Sequence, residues 1–226
     1  MFPQILFAQD VLNDLSLFDE YMILLNDLVN SNTNGYRSHQ LDVDYSNFSI
    51  TDEPRGVRNI NFSQGPIQFT NRDLDFAIIG EGFFKINLPD GTIAYTRSGE
   101  FVIDGRTNEL VTVNGRYRLF DPIRIESGYI RLLLNEDHSI ITIYPNGDEI
   151  NNGRLNIYYL DTNELRYFND FSARGILFYN GDIENIGDGR IEHRCIEQSN
   201  VLSVWTMTRL VIISKRLGMN FRNNVE

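Results

Sequence analysis

NDLVNSNTNGYR, residues 26–37, is where one periodicity stops and another has not yet begun. Upstream, over 4–30, apolar residues recur at helical spacing. Ala8, Val11, Leu15, Phe18, Met22, Leu25 and Val29 step alternately by three and four, the a/d seam of a heptad repeat. Leu17, Tyr21, Leu24 and Leu28 form a second stripe beside it, so the apolar face is wider than a two-helix contact needs. Then Asn30, Asn32, Thr33, Asn34 and Gly35 arrive together. An Asn can adopt or cap a left-handed turn, and Gly35 can do so without strain. The tract reads as a helix stop, after which Tyr36 and Arg37 redirect the chain. A plain C-cap with no partner contact fits the same residues.

Working outward, residues 38–198 change period. Short β-branched and aromatic runs stand between turn signals. FKINLPDGTIAYTR (84–97) reads as a hairpin closed by Pro89-Asp90-Gly91. Asn114-Gly115 in VTVNGRYRLF (111–120), Asn146-Gly147 in IITIYPNGDEI (140–150) and Asn180-Gly181 in ILFYNGDI (176–183) take the same role. An all-β body is expected. Helical spacing returns over 201–221, with Asn200 or Ser199 as N-cap. Val201, Leu202, Val204, Trp205, Met207, Leu210, Val211, Ile212, Ile213 and Leu217 make its first half apolar almost all round, the mark of a buried helix. Gly218 weakens it by about 1 kcal/mol relative to Ala. The fold class is α+β. An all-β central domain (38–198) carries a discontinuous, coiled-coil-like helical domain formed by residues 1–37 with 199–226.

The two ends differ in sign. Residues 1–36 contain Asp10, Asp14, Asp19, Glu20 and Asp27 but no Lys or Arg. Residues 199–225 contain Arg209, Lys215, Arg216 and Arg222 but no Asp or Glu. Two solvated faces of opposite charge would show this pattern. So would helices that pair, with charges flanking a shared seam and setting partner choice. Exposed pairs add about 0–1 kcal/mol each, so their value lies in orientation and register. A helix over 4–30 is about 40 Å long, too long for one β domain of this size to cover. Its apolar face is expected to be buried by the other terminus and by neighbouring chains, the ends ordering on assembly.

Composition narrows the functional classes. A net charge of −11 over 226 residues disfavours nucleic acid and anionic membrane surfaces. The longest aliphatic runs, such as MILL (22–25) and LVII (210–213), fall far short of a membrane span, so no membrane insertion is expected. Residues 1–9 have no Lys or Arg, unlike a secretory signal. The lone Cys195 does not report a compartment. His39, His138 and His193 are scattered, and His193-x-Cys195 is too short a ligand set for zinc. GEGFF (80–84) is not followed by the Lys-Ser/Thr of a phosphate loop. No catalytic, cofactor-binding or metal residues are expected. The 31 acidic residues permit a carboxylate pair on a β cleft, so a carbohydrate-active or ligand-binding β protein with dimerising helices is the alternative.

The motifs resemble those of the bacterial flagellar rod and hook proteins. NDLVNSNTNGYR is similar to that family's N-N-L-A-N-x-x-T-x-G-[FY]-[KR] at Asn26, Leu28, Asn30, Thr33, Gly35, Tyr36 and Arg37. Asp27 and Val29 stand where the family has Asn and Ala. TNRDLDFAIIGEGFFKINLPDGTIAYTRSGEFVID (70–104) resembles T-x-x-x-L-D-x-A-I-x-G-x-G-F-F and the D-G-x-x-x-Y-T-R-x-G-x-F hairpin after it. LVTVNGRYRL (110–119) follows in order, and IEQSNVLSV (196–204) resembles the E-x-S-N-V junction that opens the C-terminal helix. That helix lacks the family's early acidic residues. It reads RLGMN where R-A-[FY]-E-x-N is common, with Arg216 and Asn220 matching.

The resemblance implies a non-enzymatic structural subunit of the flagellar basal body. It would be exported through the flagellar type III apparatus without a cleaved signal and stacked helically, with terminal helices as the inner tube and the β domain outside. Its implied partners are copies of itself in a helical tube, other rod and hook subunits, and the export apparatus. The short stretch between Arg37 and NRDLD (71–75) favours a proximal-rod-like member over distal rod or hook. The expected assembly interface is Val11, Leu15, Phe18, Met22, Leu25, Leu28, Val29, Asn30, Thr33, Gly35, Tyr36, Ser199, Asn200, Val201, Trp205, Leu210, Ile213 and Leu217.

Overall fold

A computed structural model describes residues 17–42, 57–113, 117–167, 175–179, 185–187 and 189–218. Ala8, Val11 and Leu15, and the Asn114-Gly115 and Asn180-Gly181 pairs, lie outside the described residues. The described chain is mostly β with two helices, an α+β fold. It forms two compact units. One holds residues 17–31, 37–42, 57–61 and 201–218; the other holds 32–36 and the described part of 62–200.

The first unit is built on α1 (17–29) and α2 (Ser203–Arg216). Leu24, Leu210 and Ile213 are its buried centre, with Leu17, Tyr21, Leu25, Leu28 and Leu217 packed around them. The stripe that meets α2 is therefore the second one. The a/d stripe contributes Leu25, while Phe18, Met22 and Val29 are exposed. At the end of α1, the Asn30 amide donates to the carbonyls of Asn26 and Asp27, and its side-chain Nδ2 donates to Asn26 O at 2.8 Å. β1 (His39–Asp42) pairs antiparallel with β2 (Val57–Ile60), His39 opposite Ile60.

α2 differs from expectation in three ways. It begins at Ser203, and its N-cap is Leu202, which makes no side-chain cap bond. Asn200 and Ser199 do not cap it, because the Asn200 side chain donates instead to Ser63 O at 2.9 Å. It ends at Arg216 rather than 221, where Gly218 takes a φ of 67° and donates to Lys215 O, a left-handed stop. Its first half is not buried all round: Leu202, Val204, Trp205 and Met207 face outward.

The second unit contains β3 (Ile67–Phe69), β4 (Phe76–Ile79), β5 (Phe84–Asn87), β6 (Ile93–Thr96), β7 (Phe101–Ile103), β8 (Leu110–Thr112) and β9 (Arg118–Leu119). It continues with β10 (Arg131–Leu134), β11 (Ser139–Ile143), β12 (Glu149–Arg154), β13 (Ile157–Tyr159), β14 (Leu165–Tyr167) and β15 (Ile176–Tyr179). β16 (Asn185–Gly187), β17 (Arg190–His193) and β18 (Cys195–Glu197) complete it. A seven-stranded antiparallel sheet runs β14-β15-β6-β5-β9-β8-β7. β10-β11-β12 form a meander, and β13-β16, β17-β4 and β18-β3 are paired ribbons.

Two hairpins fall where their turn residues place them, β5–β6 with Phe84 opposite Thr96 and β11–β12, and β8 pairs antiparallel with β9. Among the described residues, β15 and β16, which flank Asn180-Gly181, do not pair with each other. β15 lies between β14 and β6, and β16 pairs with β13. Both edges of β15 are already taken, so the chain after it must leave the sheet. Phe76, Ile78, Phe84, Ile86, Phe101, Leu110, Ile123, Ile125, Ile140 and Ile157 make the core with essentially no exposure. On the other face of β5, the Lys85 stem is buried and its Nζ sits 4.0 Å from the Phe120 ring centroid, an apolar stem with a cation over a ring.

Candidate assembly site

The helix pair is half covered. Leu210 and Ile213 of α2 turn inward while Val204, Trp205, Val211 and Ile212 turn out, with Val204 81% and Trp205 59% exposed. On α1, Val29 is 73% exposed and shares the outward side with Phe18 and Met22. Large apolar side chains in such number on two adjoining short helices mark an interaction surface. Between the helices, Arg209 donates from Nε to Glu20 Oε1 at 2.6 Å and from a terminal nitrogen to Oε2 at 3.1 Å. The Glu20 bonds raise the Arg209 pKa. This fork-to-fork pair joins the acidic helix to the basic one. It is partly exposed, so its contribution is orientation more than stability.

Asp27, at the foot of α1, is buried. Its carboxylate accepts the His39 main-chain N–H at 3.0 Å and lies 2.8 Å from His39 Nδ1. It thereby ties the start of β1 to the helix.

A second constellation lies wholly in the β unit. Arg97 is 1% exposed and Glu197 0%. Arg97 Nε donates to Glu197 Oε2 at 2.7 Å, and its terminal nitrogens donate to Gly82 O at 2.5 Å and Ile78 O at 2.9 Å. The other Glu197 oxygen accepts the Gly65 amide at 2.8 Å, and the Glu197 carbonyl accepts the Gly35 amide at 2.7 Å. Gly35 has a φ of 72°, and a Cβ there would overlap the Ser98 main-chain nitrogen. A Cβ on Gly65 would overlap Gln198 O. Close approach requires both glycines, and the left-handed backbone of Gly35 requires it by conformation as well. Nearby, Asn34 Nδ2 donates to Glu100 Oε2 at 3.0 Å, and Arg72 donates to Glu100 Oε1 at 2.9 Å.

Residues 77–148 match the family described as "Flagellar hook protein FlgE/F/G D1 domain". The flagellar basal-body rod protein FlgG of Borreliella burgdorferi is 33% identical over 70% of this chain and 62% of its own length. FlgG of Buchnera aphidicola subsp. Schizaphis graminum is 34% identical over 60% of each. FlgF of Rhizobium meliloti is 29% identical over 85% of this chain and 80% of its own length. Over 60–85% of its length the chain is thus similar to flagellar basal-body rod proteins, and residues 77–148 carry the match to the FlgE/F/G D1 domain. It spans about three fifths of the length of the two FlgG relatives.

Among the described residues, the expected interface residues divide by their place in the fold. Phe18, Met22, Val29 and Trp205 are exposed on the helices, while Leu25, Leu28, Leu210, Ile213 and Leu217 lie in or around the seam between them. Asn30 closes α1, and Val201 is half-buried just before α2. Thr33, Gly35, Tyr36, Ser199 and Asn200 belong to the β unit. There Tyr36 donates to Thr33 O, and the Asn200 amide donates to Tyr36 O at 3.3 Å. These latter residues are occupied inside the chain, with Gly35, Tyr36 and Ser199 buried.

Sequence reasoning missed Arg97, Glu197, Asp27 and His39 as parts of a site. The signal for the first two was present: Arg97 and Glu197 both stand inside the quoted motifs, in AYTRSGEF (94–101) and IEQSNV (196–201). His39 gave no signal, since nothing local pairs position 27 with position 39. His193 stacks on Phe76 at 5.3 Å with Nε2 2.8 Å from Asp73 O, and burial lowers its pKa. Cys195 is half-buried, with its thiol pKa raised by burial.

Proposed function

We propose that this protein is a structural, non-enzymatic subunit of the bacterial flagellar rod, assembling helically through its terminal helices to transmit torque from motor to hook. The observation that carries the reading is the exposed apolar side of the helix pair, in a chain whose β unit has a closed core of its own. The names of the relatives support the same role. Residues 1–37 and 199–226 act as the assembly domain and 38–198 as the body.

In this reading Val11, Leu15, Phe18, Met22, Val29 and Trp205 meet sister subunits in a coiled-coil-like packing. Leu25, Leu28, Leu210, Ile213 and Leu217 hold the pair together. Copies of the chain form a helical tube with other rod and hook subunits, in the basal body. The chain reaches the rod through the flagellar export apparatus. The short stretch after Arg37 favours a proximal position over distal rod or hook.

The test is isolation of hook–basal bodies from the bacterium that makes the protein, comparing full-length chain with a version lacking residues 1–30. The full-length chain is expected to co-purify with the rod and the truncated one to remain folded but unincorporated. Absence of the full-length chain from basal bodies would refute the reading.

A further inference from the structure

The chain passes between its two units at four places: 31/32, 36/37, 61/62 and 200/201. On the β side, each passage ends within a few residues of one buried carboxylate. The segment 32–36 is held through the Gly35 amide on Glu197 O. The segment from Phe62 is held through the Gly65 amide on Glu197 Oε1, and through Ser63 O, which accepts from Asn200. The last segment carries Glu197 itself and ends at Asn200, whose amide donates to Tyr36 O. We infer that the Glu197–Arg97 pair is a positioning node, holding in register the four points at which the chain leaves the β body.

The chemistry fits positioning better than stabilisation. A buried ion pair is often no more stabilising than an apolar pair of the same volume, because desolvation offsets the attraction. What it adds here is direction. The guanidinium fork points two ways at once, toward Glu197 and toward the carbonyls of Gly82 and Ile78, and such planar geometry is not supplied by Lys. Ile78 lies in β4, in the core of the body. Glu197 ends β18, next to the last exit. The pair thus references the exits to the most rigid part of the unit. Neither Gly35 nor Gly65 leaves room for a side chain, because a Cβ at either would overlap the main chain opposite. The consequence for assembly rests on the rod reading: helices attached to loose exits would meet their neighbours at variable angles.

Full-length protein with Glu197→Gln, and a double variant with Arg97→Met and Glu197→Met, separate positioning from stability. Amide hydrogen exchange and thermal unfolding are read on both, and both are scored for restored swimming in a strain lacking the chain. In Glu197→Gln, exchange at Gly35, Gly65 and Asn200 is expected to accelerate by about tenfold or more, with the Phe84 and Ile86 amides unchanged. In the double variant the unfolding temperature recovers while exchange at Gly65 stays fast and swimming stays impaired. Equal acceleration at every amide, or none at these three, overturns the node. Restoration of swimming by the double variant also overturns it, since the pair would then be ordinary core. If wild-type chain does not restore swimming, the rod reading fails, and the exchange pattern still decides the node.

Discussion

The β body and the helix pair use apolar residues in opposite ways. In the body, Phe76, Ile78, Phe84, Ile86, Phe101 and Leu110 have no exposure at all, and strands such as β5 are covered on both faces. In the helical unit, the buried hydrophobic centre among the described residues is Leu24, Leu210 and Ile213. Phe18, Met22, Val29, Val204 and Trp205 remain on the surface. The body has completed its own interior; the helices have completed one seam and leave other apolar side chains exposed. A domain of the first kind is stable at any dilution, whereas one of the second kind gains stability with concentration.

Truncating the core tests the contrast most severely. Phe84→Ala should cost about 3–5 kcal/mol, read as a lowered urea midpoint of the body. Ile213→Ala should cost about 2–4 kcal/mol but appear in the helical signal alone; a matching shift in the body transition would mean that the two units unfold as one. Gly35→Ala should cost about 1–3 kcal/mol from its left-handed backbone, plus the displacement forced by the overlap at Ser98, and thermal unfolding would show it.

Smaller effects sharpen the picture. Burial raises the Asp75 pKa, against the pull of the Thr70 hydroxyl and the Arg72 guanidinium. The folded state then holds that proton more tightly than the unfolded chain. Its contribution therefore weakens as pH rises from the ordinary carboxylate range through the raised value. Relative to Asp75→Asn, the wild type should gain stability as pH is lowered through that window; a flat difference would show that the Arg72 pair cancels burial, and an opposite slope that it outweighs burial. Trp205→Ala should change monomer stability by no more than about 0.5 kcal/mol while weakening polymerisation. If it destabilises the monomer as much as Ile213→Ala does, the surface is not a spare seam and the comparison collapses.

Much of this fold could be read from local pattern. The heptad steps named a helix through residue 29, and Pro89-Asp90-Gly91 and Asn146-Gly147 named real hairpins. A turn signal does not state which strand receives the chain: β15 pairs with β14 and β6, and β16 with β13. By then both neighbours of β15 were occupied. The cap of α2 misled for a related reason: Asn200 had a better acceptor in Ser63, far away in sequence. The candidate site was less legible still. Its helical half follows from periodicity, but Arg97 and Glu197 are separated by a hundred positions and meet through sheet topology.

Taken by itself, the amino-acid order determined the periods, the turn positions and the acidic and basic ends, because each depends on neighbours a few residues apart. The tertiary structure alone decided which of two apolar stripes on α1 faces α2, and which carboxylate holds the exits of the body. Those outcomes depend on which distant surfaces meet, and a stripe that fits two partners equally well carries no local mark of the one it will take.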